Sequence, residues 1–92
     1  MQNMLSVERH KQFHKDLASL KLSEKHFTKF IVYLATLIQN QPLPPEAHDH
    51  ELEGEWKGFR ELHVSGDLLI IYRYDGDVVK LIRMGSHAQL FG

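Results

Sequence analysis

A chain of 92 residues, 42% hydrophobic and 25% charged, has room for one globular domain over residues 1–92. It can bury a core without metals or disulfides as staples. Cysteine is absent, which excludes disulfide frameworks, thiolate nucleophiles and Cys-based zinc sites. Eleven Lys and Arg against twelve Asp and Glu leave a formal charge of −1, too little to steer the protein to nucleic acid or to a membrane surface.

The N-terminal MQNMLSVERHKQ has no apolar run of signal-peptide length, and no later stretch is long enough to span a bilayer, so a cytoplasmic location is expected. Leu5 and Val7 predict either a short strand or a lead-in to a helix. From Arg9 to Leu20 the apolar residues Phe13, Leu17 and Leu20 recur at helical spacing and predict a first helix. Ser23 is a candidate N-cap followed by Glu24. Phe27, Phe30, Ile31, Leu34, Leu37 and Ile38 then line one face of a second helix. The short Leu22-Ser23 link favours two antiparallel helices packed as a hairpin. The prolines at 42, 44 and 45 end the second helix. They open an irregular loop carrying His48, Asp49, His50, Glu51, Gly54, Trp56 and Gly58.

After Gly58 the hydrophobic period becomes two. Phe59 to Val64, Leu68 to Tyr74 and Val78 to Met84 predict an antiparallel meander turning at Ser65-Gly66 and at a type I′ Asp75-Gly76. The fold class expected is α+β, two N-terminal helices packed on one face of a mostly antiparallel sheet of three to four strands. With two-residue turns, Val64 pairs with Asp67 and Tyr74 with Asp77. Leu68 then stands between His63 and Arg83, and those two share a face roughly 10 Å apart, a gap that one phosphate fills.

Seven histidines are the unusual feature of the composition. His50 in the loop, His63 near a strand end, Asp67 in the turn, Arg83 on the last strand and His87 beyond it can meet at one end of the sheet. Two imidazoles on opposite sides of a phosphodiester can deprotonate a 2′-hydroxyl and protonate the leaving 5′-oxygen, while a planar guanidinium neutralises the charge that builds on phosphorus. His48, Asp49, His50, His63, Asp67 and His87 are also possible metal ligands. However, HDH lacks the i, i+4 spacing of a helical metal site, and a nearby arginine favours an anion, so neither metal nor cofactor is expected. His10, His14 and His26 fall on solvated helix faces and receive no role. Lys57 and Arg60 would contact RNA lying across this edge of the sheet.

The stretch HDHELEGEWKGFRELHVSGDLLIIY, continued by LIRMGSHAQLFG, resembles the RelE superfamily of bacterial type II toxins, and specifically its YafQ-like branch, over about the whole C-terminal half. The resemblance implies a small α+β sandwich with a short extra strand at Met4 to Val7. It also implies a ribosome-dependent mRNA endonuclease whose partners are the ribosome, the message and a cognate antitoxin. Operator DNA is then met only through that antitoxin. By resemblance the family's catalytic positions fall on His50, His63, Asp67, Arg83 and His87, and Phe91 matches an aromatic near the scissile bases. On this reading His87 is the general acid, His50 or His63 the base with Asp67 orienting it, and Arg83 stabilises the phosphorane. Two positions depart from the branch pattern: Leu68 follows the turn aspartate where an aromatic is common, and Glu61 stands where a shorter acid is common. The alternative is a non-catalytic module whose surface mainly engages an antitoxin peptide.

Overall fold

The computed structural model describes residues 4–92, so the first three residues of the N-terminal stretch read above lie outside it. The elements are β1 (Ser6–Arg9), α1 (Lys11–Ser19), α2 (Glu24–Ile38), β2 (His50–Glu51), β3 (Arg60–Ser65), β4 (Leu68–Asp75), β5 (Val78–Gly85) and α3 (His87–Phe91). They form an α+β architecture with a five-stranded sheet in the order β1-β5-β4-β3-β2. The sheet is mixed. β1 pairs in parallel with β5, while the β2–β3, β3–β4 and β4–β5 pairs are antiparallel. The strand foreseen at Met4 to Val7 is thus β1, displaced by two residues.

Each helix begins where a side chain can satisfy its free amides. His10 Nδ1 accepts from the Gln12 N–H at 3.0 Å to start α1, and Ser23 Oγ accepts from the His26 N–H at 3.1 Å to start α2. α1 lies mainly on β5 and α2 on β3, so the two cover different strands of one face rather than closing on each other as a tight hairpin. Phe13 and Phe30 bridge them, with ring centroids 6.4 Å apart. The core on this face joins Phe13, Phe30, Tyr33 and Leu37 to Leu62, Val64, Ile70, Tyr72, Val79, Leu81 and Met84. The buried face of α2 is centred on Phe30, Tyr33 and Leu37. Phe27 and Ile31, expected inside, remain 47% and 45% exposed, because the sheet covers only a narrow stripe of the helix.

The second face carries a smaller cluster. Leu69, Ile71 and Leu90 pack with Leu52, Trp56, Phe59, Ile82 and Phe91, so α3 and the loop after β2 close over the end of the sheet. The C-terminal tail is a short helix. Ser86 and Gln89 form a reciprocal capping box, Gln89 N–H to Ser86 Oγ at 3.2 Å and Ser86 N–H to Gln89 Oε1 at 2.8 Å. Gly85 makes this possible, since a Cβ there would stand 2.7 Å from Gln89 Oε1.

The register differs from the counted one. Ser65 pairs with Leu68, leaving Gly66-Asp67 as the turn, and Asp75 pairs with Val78, leaving Gly76-Asp77. Gly76 has φ 58° while Asp77 is not among the positive-φ residues, which is the type II′ pattern rather than type I′. Irregularities then fall at Val64 on β3 and at Ile82 on β5, each leaving one residue without a partner. An odd residue shifts everything beyond it. His63 stands opposite Leu69, which stands opposite Gly85; Arg83 stands opposite Ile71, which stands opposite Glu61. Leu68 therefore does not separate His63 from Arg83, and the proposed His63–Arg83 row is replaced by a Glu61–Arg83 row.

Candidate active site

Two groups of polar side chains flank β4 on the face away from α1 and α2. On β3, alternation turns Leu62 and Val64 into the main core and Glu61 and His63 to the opposite face. Glu61 is 5% exposed, and its Oε1 lies 2.9 Å from His63 Nε2 while Oε2 lies 4.0 Å from His50 Nε2. The β2–β3 pairing that puts His50 beside Glu61 arises because the loop contributes a two-residue strand, a feature too short to show in the sequence pattern. His50 Nδ1 lies 2.6 Å from the His48 carbonyl oxygen, so Nδ1 carries the proton that it donates. The His48 and His63 rings meet edge to face at 5.4 Å.

The loop bearing His48 and His50 is pinned from beneath by Asp49. Tyr72 donates its hydroxyl to Asp49 Oδ1 at 2.6 Å, and Arg60 donates through Nε at 3.2 Å and Nη2 at 3.3 Å. Burial, then the Asp49 charge, pushes the Tyr72 hydroxyl well above its ordinary range, so it stays a donor. Burial works against the charge of Arg60, but the bonds to Asp49 more than offset it and raise its pKa. Arg60 also lies 3.8 Å from Glu51. Its guanidinium is thus engaged within the protein, whereas Lys57 beside it is exposed.

The second group sits at the start of α3. His87 is exposed, its backbone N–H donates to Asp67 Oδ1 at 3.0 Å, and its ring lies 5.0 Å from that of Phe91. Asp67 therefore holds the backbone of His87 and makes no bond to His50 or His63 among those found, contrary to its expected role of orienting the base. Phe91 continues into an aromatic cluster with Trp56 at 6.2 Å, and Trp56 meets Phe59 at 5.3 Å. Since His63 and Gly85 share one row across β4, the His63 side chain and the start of α3 are separated by two strand spacings, roughly 10 Å.

Arg83 occupies the adjoining row, and its Nε donates to Asp16 Oδ2 at 2.8 Å. Burial works against the Asp16 carboxylate, but the Arg83, Met84 and Gln12 bonds prevail and hold its pKa below the ordinary value of 3.8. The sequence reading left out Asp16 and gave Glu61 no role beyond noting that a shorter acid is common there. Each had a signal, Asp16 as a polar residue between Phe13 and Leu17 on the buried stripe of α1, and Glu61 as an acid two positions before a strand histidine.

Among the described residues no group of three or more His, Asp or Glu has an arrangement able to hold a metal ion. No helix among them is long and apolar enough to cross a membrane. What the arrangement offers is an imidazole beside a buried carboxylate on β3, a second imidazole at the start of α3 beyond the other side of β4, and a guanidinium in the adjoining row that is held by Asp16. These are the parts of an acid–base site for a phosphodiester.

Comparison with known proteins shows the family. Residues 5–92 match the family described as bacterial toxin of type II toxin-antitoxin system, YafQ. The chain is 39% identical over 88 residues to the mRNA interferase toxin YafQ of Escherichia coli K12, an alignment covering 94% of this chain and 95% of that protein. Among solved structures, the E. coli DinJ-YafQ complex matches with a TM-score of 0.84 at 36% identity, over 96% of this chain and 99% of that one. A copper-bound mutant toxin from Helicobacter pylori matches with a TM-score of 0.83 at 36% identity, over 96% and 100%. From the match to residues 5–92 and these similarities, the chain belongs to the YafQ family of bacterial type II toxin-antitoxin toxins.

Proposed function

We propose that this toxin is a metal-independent endoribonuclease that cleaves messenger RNA presented by the ribosome and is held inactive by a cognate antitoxin. The observation that carries the reading is that the His63–Glu61 pair and Gly85, two residues before His87, stand on opposite sides of β4. With Glu61 Oε1 2.9 Å from His63 Nε2, a proton held on that nitrogen leaves the Nδ1 lone pair to take the proton of a ribose 2′-hydroxyl. The 2′-oxygen then attacks phosphorus, and the bond to the 5′-oxygen breaks as His87 delivers a proton to it. The products are a 2′,3′-cyclic phosphate and a 5′-hydroxyl. Arg83 offsets the charge on the pentacovalent phosphorus, and Asp67 keeps His87 in place through its backbone. Phe91 and Trp56 offer stacking surfaces for the flanking bases, with Lys57 the nearby cation for their phosphates.

The near-neutral charge supports ribosomal delivery, because a protein with as many acids as bases holds free RNA weakly. Action on translated messages supports a cytoplasmic location. The antitoxin assignment is supported by the E. coli relative, which forms a complex with DinJ. A metal ion bound at the imidazoles would occupy the lone pairs that the mechanism needs. Cleavage on programmed ribosomes is therefore expected to keep its rate, within about twofold, when a chelator selective for transition metals is added and magnesium is left for the ribosome. Loss of cleavage restored only by zinc, copper or manganese would overturn the acid–base reading.

A further inference from the structure

Arg83 reaches its position through an irregular edge of the sheet. β1 ends with Arg9 opposite Leu81, and the next residue of β5, Ile82, has no partner on β4. Beyond that point no strand flanks the outer edge of β5, and α1 packs against it instead. Asp16 of α1 accepts the Met84 N–H through Oδ2 at 2.9 Å, a bond that a longer β1 would otherwise supply. The same carboxylate takes Arg83 Nε at 2.8 Å and Nη2 at 3.3 Å, and Gln12 Nε2 at 3.3 Å. Four donors thus share two oxygens, and the residue is only 9% exposed.

Resting on the reading of Arg83 as the phosphate-binding cation, we propose that Asp16 is its positioning residue. Asp16 consumes the Nε edge of the guanidinium and so fixes which edge is left for the substrate. A guanidinium has five N–H groups in one plane, and with two given to Asp16 the other three have no partner among the described residues. Arg83 lines, with Asp16, Ser19, Leu20, Met84 and Gln89, a polar cavity of about 260 Å³. An arginine free to sample its rotamers presents this edge only part of the time; one clamped through Nε presents it continuously. The carboxylate is already saturated by donors, so it opposes an approaching anion less than a bare one would.

The alternative is that Asp16 merely staples α1 to β5, and a double-mutant cycle separates the two. Wild type, Asp16→Asn, Arg83→Ala and the double variant are compared as full-length proteins for kcat and KM on a defined message carried by programmed ribosomes, with thermal unfolding in parallel. Asn keeps the shape and one acceptor for Met84 but loses the charge that holds the fork. Asp16→Asn is expected to lower kcat about tenfold with KM within about twofold, and to lower it no further once Arg83 is Ala, while its effect on unfolding persists in both backgrounds. Equal rate losses in both backgrounds, or none in either, would overturn the positioning role. Wild-type cleavage by Arg83→Ala would instead overturn the reading of Arg83 itself. Should Asp16→Asn fail to fold, Asp16→Glu, which retains the charge and displaces the fork by one methylene, is read through the same cycle with the same criteria.

Discussion

Replacing His87 by Gln is expected to slow single-turnover cleavage by ~10²-fold or more while leaving the fold and antitoxin affinity nearly unchanged, because positioned proton transfer contributes about 10²–10⁴ to such reactions. The side chain is exposed, and the structural contribution of the residue is its backbone N–H to Asp67. Glutamine keeps that bond, and the capping box of α3 involves Ser86 and Gln89 instead. What the amide side chain lacks is a proton it can release to the 5′-oxygen. The expected signature is therefore a fall in the chemical step alone, with thermal unfolding within a degree or two of wild type. Cleavage at the wild-type rate would demote His87 to a binding residue and leave the site without its acid.

The largest effect on stability is expected at Phe13, far from the chemistry. It is fully buried between α1 and the sheet and meets Phe30 of α2, so it joins the two helices to each other as well as to the core. Truncation to Ala should cost ~3–5 kcal/mol, the usual range for a buried aromatic, out of a total of only about 5–15 kcal/mol for a domain of ordinary stability. Equilibrium denaturation in urea reads this directly as a lower midpoint with an unchanged slope. Asp16 lies one turn along the same helix, so the loosened α1 should also carry the Arg83 clamp with it. A loss under about 1 kcal/mol would mean that α1 is held by something other than its aromatic anchor.

Much of this was legible before any coordinates, and the parts that were not share a physical cause. The start of α2 at Ser23 and the strands from residue 60 onward follow from local chemistry, a cap hydroxyl and alternating burial, and the structure has both. Register is not local. The unpaired residues at Val64 and Ile82 obey the same alternation as their neighbours, so counting from the turns put His63 in the row that belongs to Glu61 and gave Asp67 the wrong neighbour. The partner of Arg83 lies 67 residues away, a separation at which no pattern of spacing speaks. β2 is a two-residue element made by pairing with β3, whereas α3 had a local signal in the Ser86-x-x-Gln89 capping box and is completed by Leu90 packing with Leu69 and Ile71.

The most direct test of the central claim is the chemistry of the ends left on a single defined message, mapped with and without ribosomes positioned at the cut codon and at equal protein concentration. Attack by the 2′-hydroxyl with protonation of the 5′-oxygen predicts 2′,3′-cyclic phosphate and 5′-hydroxyl ends, at the occupied codon only, and none when initiation is blocked. Ends bearing 3′-hydroxyl and 5′-phosphate, or equal cutting of naked RNA, would contradict it.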